Sequence, residues 1–432
     1  MRVPAGSMRS GHLRGASPVL DIDSGAASNP AAAEWEAAGL RAPDMDAVRS
    51  WRLQQLRQQL EAEDLAGIVL FDPLNIRYAT DATNMQVWTT HNPVRYAFVA
   101  TDGPVVLFDL ARCEHLVEHL PLIDEVRPAT GWFFFENGPR EAEAADRWAD
   151  EIADLVRSHG RGSLRVGLDK CESLGLAALQ RRGLDTVATM RTAELARYRK
   201  HPEEIAAMRR AVHAGQQAVR EMWQALEPGI TEAQLWSHLH AGNIARGGEW
   251  VETRLLSSGP RTNPWFAECS HRVIEAGDLV CFDTDLIGPY GYAVDMSRSW
   301  VTPGREPTAQ QQSLHSLACE VLAHNCALLK PGLTFREFAE RSYQLPDRYL
   351  PNRYADIAHG LGLSTEYPMI HYIQDWDAYG YDGVIEDSVV MCLEVYVGEP
   401  GGPEGVKLEN QIYVASNGAE VLDTFPMSLT PH

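Results

Sequence analysis

Three things are scarce in this 432-residue chain, and each scarcity removes a class of function. Basic residues are few: 38 Lys and Arg against 59 Asp and Glu give a formal charge of -21, and nucleic acid and anionic membrane surfaces both repel such a chain. Long apolar runs are missing. No stretch approaches the roughly 18 residues of a membrane span, and the opening MRVPAGSMRSGHLRGASPVLDIDSG lacks the apolar core of a secretory signal. A cytoplasmic location is expected. Cysteine comes to seven, an odd number with no C-x-x-C pair, which suits neither a disulfide framework nor a zinc knuckle. Reduced, buried and inert thiols are the expectation.

What is present is ordinary globular composition, 45% hydrophobic and 22% charged, and at roughly 100 to 200 residues per domain the length allows two or three domains. Residues 1–33 are rich in Ala, Gly, Ser and Pro without periodicity and read as a flexible arm. Residues 34–194 read as an α/β domain. Val48, Trp51, Leu53, Leu56 and Leu60 recur at helical spacing, and AGIVLF, RYAFVAT and PVVLF follow as strands, the last two split by an Asp-Gly turn. Residues 195–432 read as an α+β domain. It opens with a long amphipathic helix carrying Pro202, Glu203 and Glu204 in its first turn; Thr231 with Gln234 then makes a capping box for a second helix. From about Leu255 onward the chain is strand-rich, interrupted by the helical QQSLHSLACEVLAHNCALL.

The strands of this second region carry residues that strands avoid. FDTD places Asp283 and Asp285 on one face of an apolar strand, and YAVDMSRSWV places Asp295 amid Ala, Val and Met. A turn at Pro289-Tyr290-Gly291 is expected to set Asp283 opposite Asp295, so that three carboxylates converge. The pattern recurs downstream, where Glu394 in VVMCLEVYV and Glu409 in VKLENQIYV flank the loop GEPGGPEG and face each other if the strands form a hairpin. Like charges held opposite destabilise a sheet, so five buried carboxylates imply a cation or a shared proton, and a pair of divalent metals answers this economically. His359, in AHGLGLSTEYP, would add a neutral nitrogen to the oxygen set, which suits Mn, Fe, Co or Zn better than calcium.

On these residues the sequence resembles the creatinase, prolidase and methionine-aminopeptidase superfamily. The resemblance implies an α+β "pita-bread" catalytic domain behind a smaller α/β creatinase-type N-terminal domain, two divalent metal ions, and a homodimer. The segments FDPLNIRYATDATNMQVW, GGEWVETRLLSSGPRTNPWFAEC, FDTDLIGPYGYAVDMSRSW, CLEVYV and KLENQIYV are further similar to the dimethylsulfoniopropionate (DMSP) lyases built on that fold. The likeness to those lyases implies Asp283, Asp285, Asp295, His359, Glu394 and Glu409 as metal ligands. It also implies a role near substrate for Tyr354.

Two departures from the peptidases bear on the reaction. Where they carry substrate-holding histidines, this chain has Trp265 and Glu366, and losing such donors costs about 10²-fold or more each. Peptide hydrolysis is therefore disfavoured. The lyases in turn carry a basic Asp where this chain has Thr365, and a Thr hydroxyl is no base by itself at neutral pH. Glu366 or His371 is expected to substitute, with Trp88 and Trp265 offering aromatic faces to a sulfonium group. The leading expectation is metal-dependent cleavage of a small osmolyte-like substrate, DMSP to dimethyl sulfide and acrylate. The alternatives are a dinuclear Xaa-Pro-type hydrolase and a non-catalytic binding module.

Overall fold

Short apolar strands buried along their whole length form the middle of the first sheet, and more exposed strands close its two edges. The computed structural model describes residues 29–430, and within them the strand order is Glu125–Pro128, Val105–Asp109, Tyr96–Ala100, Gly67–Leu70, Arg165–Leu168, Asp185–Ala188. The sheet is mixed. Its hairpin Tyr96–Ala100 with Val105–Asp109 is antiparallel, whereas Gly67–Leu70 runs parallel to Arg165–Leu168. The helix Glu141–His159 covers one face because Ala145, Trp148, Ala149, Ile152 and Val156 recur three and four residues apart and are buried together.

The expected arm boundary at residue 33 falls inside a helix. Residues 1–28 of that arm lie outside the described residues, but Pro30–Ala37 is a helix capped by Asn29, with Ala31 and Trp35 buried. Trp35 anchors it by donating its indole N–H to the Arg210 carbonyl at 2.9 Å. Composition alone did not reveal this, since one tryptophan among small residues is enough to dock a short helix.

The second region starts with the helix Pro202–Ala225, where His201 and Glu204 form the capping box, followed by Glu232–Ala245 with the Thr231–Gln234 box. Behind them stand an antiparallel five-stranded sheet, in the order Thr365–Ile370, Ala358–Leu361, Val389–Val397, Val406–Ala415, Gly418–Val421, and two three-stranded sheets. One of these, Ser297–Val301 beside Leu279–Asp283 and Leu256–Ser258, abuts the large sheet edge-on. There the Lys407 N–H donates to the Ser299 hydroxyl, which in turn donates to the Lys407 carbonyl, at 3.1 and 2.9 Å. The helix Ala309–Leu328 packs across the outside.

Buried ion pairs join the two regions. Arg52 reaches Glu204 at 3.1 Å, and Arg77 meets Glu249 through both guanidinium nitrogens at 2.7 and 2.8 Å, the planar fork that suits a carboxylate. Among the described residues no helix is long and apolar enough to cross a membrane.

Candidate metal centre

The long hairpin Val389–Val397 and Val406–Ala415 sets the first pair of candidate ligands. Its register places Glu394 directly opposite Glu409, and the next strand sets His359 opposite Cys392, so all four side chains share one sheet face. The Asp residues arrive from the abutting sheet. Asp283 is paired with Ser297 and not with Asp295, because the turn is centred on Tyr290 and pairs Ile287 with Ala293 and Leu286 with Val294. The expectation of Asp283 opposite Asp295 was thus two residues out of register. A slip of two keeps every side chain on its own face, so the carboxylates still converge. Asp285 leaves regular strand geometry, with φ of 39°, and takes a hydrogen bond from the Thr253 hydroxyl.

The result is a compact acidic cluster. Donor atoms of Asp283, Asp285 and Asp295 lie within 4.8 Å of one another, as do those of Asp283, Glu394 and Glu409. The His359 Nε2 stands 3.4 Å from carboxylate oxygens of both Glu394 and Glu409, and 3.8 Å from Asp295. Its Nδ1 lies 3.1 Å from the Gly360 carbonyl, which fixes the ring with Nε2 inward.

The electrostatics show what such a cluster lacks. Burial, then the charge of Glu409, pushes the Asp283 carboxyl up to about 7. Burial and the neighbouring carboxylates likewise push Asp295 and Glu394 well above the usual range. Burial alone would lower His359, but its hydrogen bond to Glu409 and the charge of Asp356 win and raise it to about 9. Asp283 Oδ1 and Asp295 Oδ1 are buried with no hydrogen-bond partner, a costly state for a carboxylate oxygen unless a cation meets it. An oxygen-rich set with one imidazole nitrogen and orphaned inward oxygens fits metal ions, and these groups could hold them.

Three further groups at this face were not singled out from sequence. Lys407, fully buried, places its ammonium 2.8 to 3.1 Å from Glu394, Glu409 and Asp283, and 4.4 Å from the centre of the Tyr354 ring. Its signal was available, since a residue two before Glu409 must share its face. Asp356, buried with an unpartnered Oδ1, lies against Glu394 from the loop before His359. Nothing in its sequence context marks it. Cys392 is the third, and the expectation of uniformly buried thiols is corrected: all seven cysteines are free, five are only half-buried, and Cys392 is buried against Asp295, His359 and Glu409.

The expected catalytic and substrate residues scatter more widely. Glu366 is held by Lys200 at 3.0 Å and Arg197 at 3.1 Å, and although burial opposes it, those two cations keep its carboxyl below the ordinary range. That makes it an anchor between the two regions and a poor proton acceptor. His371 lies just past the strand Thr365–Ile370, its Nδ1 3.2 Å from the Ala355 carbonyl and its ring against Tyr379. Trp265 is buried and stacked near Tyr396, while its neighbour Phe266 is 56% exposed and tilts onto Tyr354 at 5.2 Å. Trp88 sits 42% exposed on the short helix Gln86–Thr89 of the first region.

Comparison with known proteins agrees with this architecture. Residues 206–416 match Metallopeptidase family M24, and residues 52–197 match the Creatinase/Prolidase N-terminal domain. The chain is 42% identical to a dimethylsulfoniopropionate lyase DddP from Roseovarius nubinhibens, over 91% of this chain and 89% of that one. A second protein of that description, from Roseobacter denitrificans, is 40% identical with the same coverage. Among solved structures, an Xaa-Pro dipeptidase from Bacillus anthracis superposes with a TM-score of 0.72 at 21% identity, over 88% of this chain and 98% of that one. At such identity the likeness speaks for the fold, a creatinase-type N-terminal domain followed by a pita-bread domain. The chain belongs to metallopeptidase family M24, in its two-domain creatinase/prolidase form.

Proposed function

We propose that this protein is a metal-dependent carbon–sulfur lyase that converts DMSP to dimethyl sulfide and acrylate. The observation that carries the reading is the likeness over nine-tenths of the chain to two DMSP lyases, together with a carboxylate cluster that includes the half-buried Asp285. Asp283, Asp285, Asp295, His359, Glu394 and Glu409 are the ligands in this reading. With Lys407 they carry a formal charge of four negative, which two divalent ions of Fe, Mn, Zn or Co would cancel. Such ions supply Lewis acidity toward the substrate carboxylate.

The chain's own residues do the rest. Asp356 is a buried carboxylate at the cluster whose Oδ1 has no hydrogen-bond partner, whereas Glu366 is held by Lys200, and Asp356 takes the proton from the carbon next to the substrate carboxylate. The carbon–carbon double bond forms as the carbon–sulfur bond breaks, its electron pair leaving on sulfur. Trp265, Phe266 and Tyr354 present aromatic surface to the sulfonium, with Trp88 available only from the first region. A homodimer accompanies this reading, as the family resemblance implies, in the cytoplasm that the lack of a signal-like opening led us to expect.

Headspace dimethyl sulfide from metal-loaded enzyme and DMSP tests the proposal. Absence of the gas at every pH with metal bound rejects it. Turnover of an Xaa-Pro dipeptide panel instead would install the hydrolase reading, which the fold shared with a dipeptidase favours. Inertness toward both would leave a binding module.

A further inference from the structure

The ligand set read from sequence is all carboxylate and imidazole, yet the strand register adds a sulfur to it. Cys392 lies opposite His359 on one neighbouring strand, two residues before Glu394 on its own, and is fully buried. Its Sγ, a His359 ring nitrogen and carboxylate oxygens of Asp295 and Glu409 all fall within 4.8 Å of one another. Metal–sulfur bonds of about 2.3 Å and metal–nitrogen bonds of about 2.1 Å keep the donors of one ion within about 4.4 Å. A second observation concerns the same four residues: Asp295 Oδ1 is buried without any hydrogen-bond partner. The thiol itself has a loose contact, 3.9 Å from the Asp295 carbonyl.

We propose that Cys392 is a thiolate ligand to the metal ion held on the His359 side of the cluster. The inference rests on the metal-centre reading above. On binding, the sulfur–hydrogen bond breaks, the proton passes to solvent and the sulfur–metal bond forms, as a divalent ion at bonding distance strips a thiol. The two ions then become chemically unequal. One sits among sulfur, nitrogen and oxygen donors from Cys392, His359, Asp295 and Glu409; the other meets only carboxylates. Soft thiolate favours Zn, Co or Fe over Mn on the first, while the oxygen site remains tolerant.

The test is spectroscopic. The full chain is stripped with a chelator, loaded with Co(II), assayed for bound cobalt by elemental analysis and scanned in the near ultraviolet for a thiolate-to-cobalt charge-transfer band. The wild type is expected to show the band, as is Cys326→Ser. Cys392→Ser is expected to keep bound cobalt, lose the band, and bind zinc about tenfold or more weakly with manganese affinity little changed. Cys392→Ala serves if the serine variant does not fold. Cobalt bound without the band, or a band that survives loss of Cys392, overturns the assignment while leaving the metal centre standing. No bound cobalt at all overturns both, and the elemental analysis tells the two failures apart.

Discussion

The Lys407 ammonium lies 2.8 Å from Glu394 Oε2, and both groups are almost wholly buried. The same nitrogen serves Asp283 and Glu409, so one fixed cation holds three carboxylates before any metal arrives. Lys407→Met should therefore be tolerated only in the metal-loaded protein. Removing one partner of a buried pair costs about 3–5 kcal/mol, and here three carboxylates lose theirs. Thermal melts with and without divalent ions measure this. An equal melting temperature for mutant and wild type in chelator would show that Lys407 does not balance the cluster.

Metal-free protein should lose stability as pH rises. Burial and Glu409 hold Asp283 at about 7 against an ordinary 3.8, so the native state keeps a proton the unfolded chain has released. Its contribution is present at low pH and lost between about 4 and 7. His359, at about 9 against 6.5, contributes fully below 6.5 and loses that contribution as pH rises through about 9. The two windows join into one decline. Divalent ions reverse it, because their ligands must be deprotonated. A melting temperature in chelator that stays flat or climbs from pH 5 to 9 would falsify this account.

Glu366→Gln separates an anchor from a base. Lys200 and Arg197 would be left buried with less to neutralise them, at a cost of about 3–5 kcal/mol. Activity per folded molecule should stay close to wild type. A kcat that collapses while the melting temperature holds would restore Glu366 to the chemistry.

Asp356→Asn should lower kcat about 10²-fold with KM and bound metal nearly unchanged. Thr365 is exposed at the start of its strand, and adding Thr365→Asp to that variant supplies a second carboxylate and should recover part of the rate. Unchanged kcat in Asp356→Asn removes it from the mechanism.

Which side chains could meet is legible in the strand patterns alone. Period-two alternation put Glu394, Lys407 and Glu409 on shared faces, and the improbability of carboxylates in apolar strands marked Asp283, Asp285 and Asp295. Because sheet faces repeat every two residues, even a register misplaced by two, Asp283 against Asp295 where Ser297 stands, left the same side chains converging. Tertiary structure decided what no strand period encodes. Glu366 shares its strand with residues near His359, but helix packing brought Lys200 and Arg197 onto it and took it out of the chemistry. Asp356 and Trp35 sit in stretches with no periodic signal, and only the long-range packing of loop on sheet and helix on helix gave each its neighbours. Local pattern fixes a side chain's face; its partners come from segments distant in sequence, whose approach depends on the whole core.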